Sequence, residues 1–285
     1  MIEGLSFHKL SGAGNDFILI DNREEKVTAA EAPELAKRLC ARGMSIGADG
    51  LILIENTDTG SDFKWHFYNS DGSLAEMCGN GSRCAARYAH AMGIAGTDMV
   101  FDTIAGPIRA KVMEDTVSSQ LMLPFGLVTG IKLDVDGRAI EAHFINEGVP
   151  HVVVYTGDND LHLETMNVFD LGRKIRYHEA FAPAGANINF AEIVDKSNIR
   201  VRTYERGVEN ETLACGTGCV SASLIGAYLS KLTQKVTAAT RSGLILNICF
   251  DMDGKSFSNV YLEGEARIVY IGGIQKGAWE YQASC

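Results

Sequence analysis

Short apolar runs broken by polar turns set the pattern of this chain. The runs Phe17–Ile20, Leu51–Ile54, Ile108–Val112, Val152–Tyr155, Val201–Tyr204 and Leu244–Phe250 are rich in Val and Ile and bounded by Gly, Asp or Asn. That pattern predicts β-strands. Several runs lie close enough to pair as hairpins, so antiparallel or mixed sheets are expected. Helical periodicity is rarer. Thr28 and Glu31 make a capping-box pattern ahead of a helix predicted through Arg42, which Gly43 ends. Leu163–Tyr177 predicts another. Two more begin at Gly79–Asn80 and Gly216–Thr217, run through small residues, and stop near Gly93 and Lys231.

The pattern repeats. MCGNG at 77–81 matches ACGTG at 214–218, an offset of 137 from Cys78 to Cys215 in a chain of 285 residues. At that offset Thr103 falls on Thr240 and Gly106 on Gly243, so each half reads Cys-Gly-x-Gly, small-residue helix, strand, T-x-x-G turn, strand. Upstream, FYN (67–69) falls on YER (204–206). With small gaps, GADGLILIE (47–55) resembles GANINFAEI (185–193), and GNDFILI (14–20) resembles GVPHVVV (148–154). Several matches in one order argue for two homologous halves of mixed α/β (α+β) structure. We expect residues 1–125 and 126–285, meeting near Pro124–Gly130, with the last ~15 residues able to pack back on the first half.

Composition narrows the function. The chain is 46% hydrophobic and 22% charged, an ordinary globular balance. A net charge of −10 argues against a nucleic-acid partner. No apolar run approaches the ~18 residues of a transmembrane helix. The opening MIEGLSFHKLSGAGND does not read as a secretory signal. The seven cysteines are odd in number and scattered, which argues against a disulfide framework and for a reducing cytoplasm. Cys40 and Cys249 are expected as small buried hydrophobes. Nothing is expected of Cys285, the last residue.

The thiols at the two Cys-Gly-x-Gly sites admit several readings. Zinc favours C-x2-4-C pairs in sets of four ligands, whereas Cys78/Cys84 is C-x5-C, its thiols on well-separated faces of a helix, and Cys215/Cys219 is C-x3-C with no His or Asp following at ligand spacing. A C-x-x-C redox pair is absent. A hydrolase nucleophile would not explain the duplication. The remaining reading uses the glycines. A cysteine at a helix N-cap meets unpaired N–H groups and the positive end of the dipole, which is expected to lower its pKa. The bare amides after it suit a carboxylate. Two such halves about a pseudo-twofold axis would hold a carboxylate between two helix starts with a thiol on each side. That suits inversion of a stereocentre next to a carboxylate: thiolate as base, thiol as acid, with no metal and no pyridoxal phosphate. Cys84 and Cys219, deeper in their helices, are expected to be packing residues.

The segments SGAGNDF (11–17), GADGLI (47–52), YNSDGSLAEMCGNGSRCAARY (68–88), GVPH (148–151), GANINF (185–190) and YERGVENETLACGTGC (204–219) closely resemble the diaminopimelate epimerase family. The resemblance implies cofactor-independent interconversion of LL- and meso-diaminopimelate, in lysine and peptidoglycan precursor synthesis. It also implies two similar domains, each a sheet wrapped around a central helix, and a homodimer. It makes Cys78 and Cys215 the acid–base pair. Gly79, Asn80, Gly216 and Thr217 become amide donors to the α-carboxylate. Asn15, Asn69, Asn187 and Arg206 become holders of the substrate's polar groups, with Arg206 at the distal carboxylate. Glu205 would meet the ammonium, and His151 would sit beside the thiols. Taken alone, Asn15 and Asn69 read as turn residues, Glu205–Arg206 as a solvated pair and His151 as a core histidine. Two departures stand out: Val149 replaces the Asn of the family's G-N-P-H, so that either Asn146 or Asn189 compensates or one substrate contact is missing, and GVENET is one residue longer than the commoner GVGET. The alternatives are a proline or hydroxyproline racemase-like enzyme of the same fold, a phenazine-type isomerase, or a non-catalytic amino-acid-binding module.

Overall fold

The computed structural model describes residues 2–281. The chain forms two compact units, Met1–Ser119 with Gly264–Cys285, and Gln120–Glu263. In the first, β1 (Ser6–Gly12) and β2 (Asn15–Asp21) form a hairpin. Ala13 and Gly14 at its tip both have positive φ, 47° and 101°, the requirement of a tight two-residue turn. Helix α1 (Ala32–Cys40) crosses over to β3 (Gly50–Glu55), parallel to β2, and β4 (Phe63–Asn69) returns antiparallel, with short β5 (Leu74–Ala75) folded onto it. Then follow α2 (Gly79–Ala91), β6 (Asp98–Thr103) parallel to β4, β7 (Gly106–Val112) and β8 (Thr116–Gln120).

The second unit repeats this plan. β9 (Phe125–Val135), β10 (Arg138–Asn146) and β11 (Pro150–Tyr155) are antiparallel neighbours. Helix α3 (Val168–Arg176) crosses to β12 (Asn187–Ile193), parallel to β11, and β13 (Asn198–Glu205) returns with short β14 (Asn210–Thr212). Next come α4 (Gly216–Tyr228), β15 (Lys235–Ala239) parallel to β13, β16 (Ile245–Asp253) and β17 (Ser256–Glu265). Finally β18 (Arg267–Gly273) pairs with β1, the place that β9 takes beside β10. The two units therefore correspond strand for strand, parallel pairings included. This is a mixed α/β fold of two repeated halves.

Side-chain pattern decides which helix goes where. α2 and α4 are buried nearly all round, as a central helix must be. α1 and α3 carry one apolar stripe each, Leu35, Ala36 and Leu39 in the first and Val168 and Ile175 in the second, and cover the outer face. Strand alternation sorts the cores: Phe17 and Leu19 join the cluster around α2, while Ile18 and Ile20 join Leu35 and Leu39 beneath α1. Among the described residues no helix is long and apolar enough to cross a membrane.

Three local expectations need correction. α1 starts at Ala32, not after Thr28. Glu31 is its N-cap, and its carboxylate instead accepts from the amide and hydroxyl of Thr28, at 3.0 and 2.7 Å. α3 starts at Val168 rather than Leu163, because the Asn167 side chain caps it by accepting from Asp170 N at 3.1 Å. Cys249 is exposed, since Leu246, Ile248 and Phe250 occupy the inward face of β16. Cys285 lies outside the described residues.

Candidate active site

In the first unit the β1–β2 turn delivers Asn15 to the start of α2. Cys78 is the N-cap of that helix in extended conformation, and its Sγ accepts from the Gly81 amide at 3.4 Å. Asn15 Nδ2 donates to Asp49 Oδ2 at 2.8 Å, and its Oδ1 accepts from Asn80 Nδ2 at 2.7 Å. Arg83 closes the chain by donating to Asn80 Oδ1 and, at 3.2 Å, to Gly79 O. Gly12 makes the close approach possible: a Cβ there would lie 2.8 Å from Cys84 Sγ and 3.0 Å from Asn80 O. Cys84 is thus a fully buried packing residue. Asn69 stands apart from this cluster. It ends β4 and donates from Nδ2 to Ser73 Oγ at 2.9 Å, within the NSDGS turn.

In the second unit Cys215 is the N-cap of α4, buried, with Thr217 Oγ1 3.7 Å from its Sγ. Asn187 at the start of β12 accepts at Oδ1 from the Arg206 amide, 2.8 Å, which ties the end of β13 beside it. Below, Asn189 is fully buried and committed on every side. It donates to Val152 O at 3.0 Å, lies 3.1 Å from His151 Nδ1, and accepts from Thr203 Oγ1 at 2.9 Å. It therefore cannot compensate for Val149. Asn146 keeps a buried, unpartnered Oδ1. Glu147, also buried, accepts from Ser221 Oγ at 2.9 Å and has its second oxygen unpartnered.

The electrostatics reverse one expectation. Burial pushes the Cys78 thiol up, against the amides of Gly81 and Asn80 and the charge of Arg83, which pull it down. Burial, with the Glu205 charge, pushes Cys215 up to about 12 despite Thr217 and Gly218. Desolvation by distant strands outweighs the local helix terminus. Burial also raises Glu205, raises Glu147 to about 8 and lowers His151 to about 3, so His151 is a neutral imidazole. Arg83, Asp49 and Glu147 were not foreseen from sequence. The signal for Arg83 and Glu147 was a charge set inside an otherwise small-residue or apolar run, GSRCAA and FINEGV.

The diaminopimelate epimerase family model matches residues 7–123 and 143–269. The diaminopimelate epimerase of Aquifex aeolicus is 46% identical over 97% of this chain and 100% of its own length. That of Archaeoglobus fulgidus is 39% identical over 97% and 99%. Among solved structures, a Bacillus anthracis phenazine biosynthesis protein of the PhzF family superposes with a TM-score of 0.69 at 14% identity, over 95% of this chain and 98% of that one. A hydroxyproline epimerase from Agrobacterium vitis also gives 0.69 at 14% identity, over 96% and 93%. These two share the fold. With the family model covering most of both halves and relatives aligned along nearly the full chain, the chain belongs to the diaminopimelate epimerase family.

Proposed function

We propose that this chain epimerises LL-diaminopimelate to meso-diaminopimelate by proton transfer between Cys78 and Cys215, without a cofactor. The observation that carries the reading is the repeated N-cap cysteine, a thiol beside bare amides at the start of each central helix, in a member of this family. One sulfur, as thiolate, takes the Cα proton, and the other, as thiol, gives its proton to the opposite face. The amides of Gly79, Asn80, Gly216 and Thr217 stabilise the charge that spreads onto the α-carboxylate. Arg206 takes the distal carboxylate and Glu205 the ammonium. Asn15 keeps one N–H and one lone pair free for substrate, and Asn187 keeps its NH2. Asn69 contributes from the turn after β4. His151, neutral, lies behind the second thiol's helix as a positioning residue. Residues 1–125 and 126–285, the last ~15 packing back on the first half, act as two homologous halves carrying one thiol each.

We infer further that the protein is cytoplasmic, serves lysine and peptidoglycan precursor synthesis, and is a homodimer. The dimer is supported by β18, where Ile268, Val269, Tyr270 and Ile271 are all exposed in one run. The decisive experiment is solvent deuterium incorporation at Cα with chiral chromatography of diaminopimelate, proline and hydroxyproline isomers. Exchange and epimerisation of diaminopimelate are expected in the parent, with net epimerisation lost in Cys78→Ala and in Cys215→Ala. Full activity in either variant, or turnover of the proline isomers instead, would overturn the reading.

A further inference from the structure

Arg83 is a buried cation with no anion. It lies one turn inside α2, is fully buried, and among the described residues forms no ion pair. Its hydrogen bonds go to Gly79 O and Asn80 Oδ1, and its buried Nε has no partner. Cores rarely keep such a group without a purpose, because its desolvation is uncompensated. The titratable groups that face it are Cys84 and Cys78, and those that face Cys78 are Arg83 and Asp49. Asp49 is already held by Asn15 Nδ2 at 2.8 Å and by Arg42 Nη2 at 2.7 Å. The second unit has no equivalent cation. The repeat puts Val220 at the matching position of α4, and the charges that bear on Cys215 are the carboxyls of Glu205 and Glu147. The two repeated sites are therefore electrically unlike.

We propose that Arg83 is the internal counter-charge of the Cys78 thiolate, so that Cys78 ionises before Cys215, and that its bond to Asn80 holds the Asn80–Asn15 pair at the start of α2. It is a positioning residue: it touches the helix start, not the reacting carbon. The proposal rests on the reading of Cys78 as an acid–base group and says which of the two thiols is the base in the resting protein.

The test is alkylation of the full-length protein by iodoacetamide at a series of pH values, with the Cys78, Cys215 and Cys249 peptides followed separately by mass spectrometry. In the unmodified protein the Cys78 midpoint is expected below that of Cys215. Arg83→Met is expected to raise the Cys78 midpoint and slow its labelling at neutral pH about tenfold or more, since only the thiolate reacts. The exposed Cys249 is expected to label as before. Arg83→Lys keeps the charge and should restore the midpoint. An unchanged Cys78 midpoint in Arg83→Met, or Cys215 ionising first in the unmodified protein, overturns the proposal. The second outcome decides even where Arg83→Met fails to fold. Because labelling does not read epimerisation, a failure of diaminopimelate exchange would sink the proposed reaction separately.

Discussion

Replacing Gly218 by alanine drives a methyl group into the most tightly tied residue behind Cys215. The new Cβ would overlap Asn189 Oδ1 and lie 3.0 Å from Asn189 Cγ and 3.2 Å from Thr203 Oγ1. Asn189 cannot swing aside without giving up its bonds to Val152 O, His151 and Thr203. Overpacking costs about 1–3 kcal/mol, and each buried hydrogen bond that is lost adds about 1 kcal/mol. Alanine returns about 1 kcal/mol as the better helix former. The net is a destabilisation of about 2–4 kcal/mol, or a fall in Tm of about 6–12 °C for a unit of this size.

Gly81, at the same position of the first unit, is the internal control. A Cβ there meets the Trp65 ring at 3.3 Å and Cys78 Cβ at 3.4 Å, a tight fit against carbon atoms only. The helix gain offsets it, so Gly81→Ala should melt within about 3 °C of the parent. Thermal unfolding followed by circular dichroism, with amide exchange of β11 and β12, compares the two. Equal melting of the two variants, or Gly218→Ala within about 3 °C of the parent, would refute the view that Gly218 is there for Asn189.

Three further outcomes are expected. Glu147 titrates at about 8 when folded against 4.5 ordinarily, so its contribution is intact below pH 4.5 and lost as pH rises towards 8. His151, at about 3 against 6.5, acts oppositely and only below 6.5. Glu147→Gln should therefore gain stability over the parent as pH climbs from 6.5 to 8, by on the order of a few kcal/mol, and parallel melting curves across that range would contradict it. Arg206→Ala should raise KM for diaminopimelate by about tenfold or more through loss of a charge-assisted pair, with kcat less affected, and steady-state kinetics showing KM unmoved would remove Arg206 from the distal carboxylate. Val269→Asp with Ile271→Asp, two exposed positions on one side of β18, should shift sedimentation to the monomer, whereas a monomeric parent would remove the dimer.

What was legible in the chain was what is local. The N-cap cysteines could be read because the residues that make a helix start, a cap and three bare positions, are adjacent in sequence, and their duplication exposed the two halves. What was hidden depends on partners far along the chain. Arg83 and Arg87, four apart, would read as a solvated stripe, and only strands β1, β2, β3, β7 and β18 closing around α2 bury the first of them. The same enclosure reverses the expected direction at the thiols. A helix terminus acts over one turn and is visible in five residues, whereas desolvation is set by every strand that excludes water, and no segment encodes it. Asn189 shows the limit from the other side. As a residue type it was a fair substitute for the missing Asn at Val149, but the register of β12 against β11 turns it inward to hold Val152 and His151. Of the two candidates only Asn146, at the end of β10, keeps an unpaired side-chain atom, and that atom is its carbonyl oxygen, an acceptor; a donor to a carboxylate would have to be its NH2 instead.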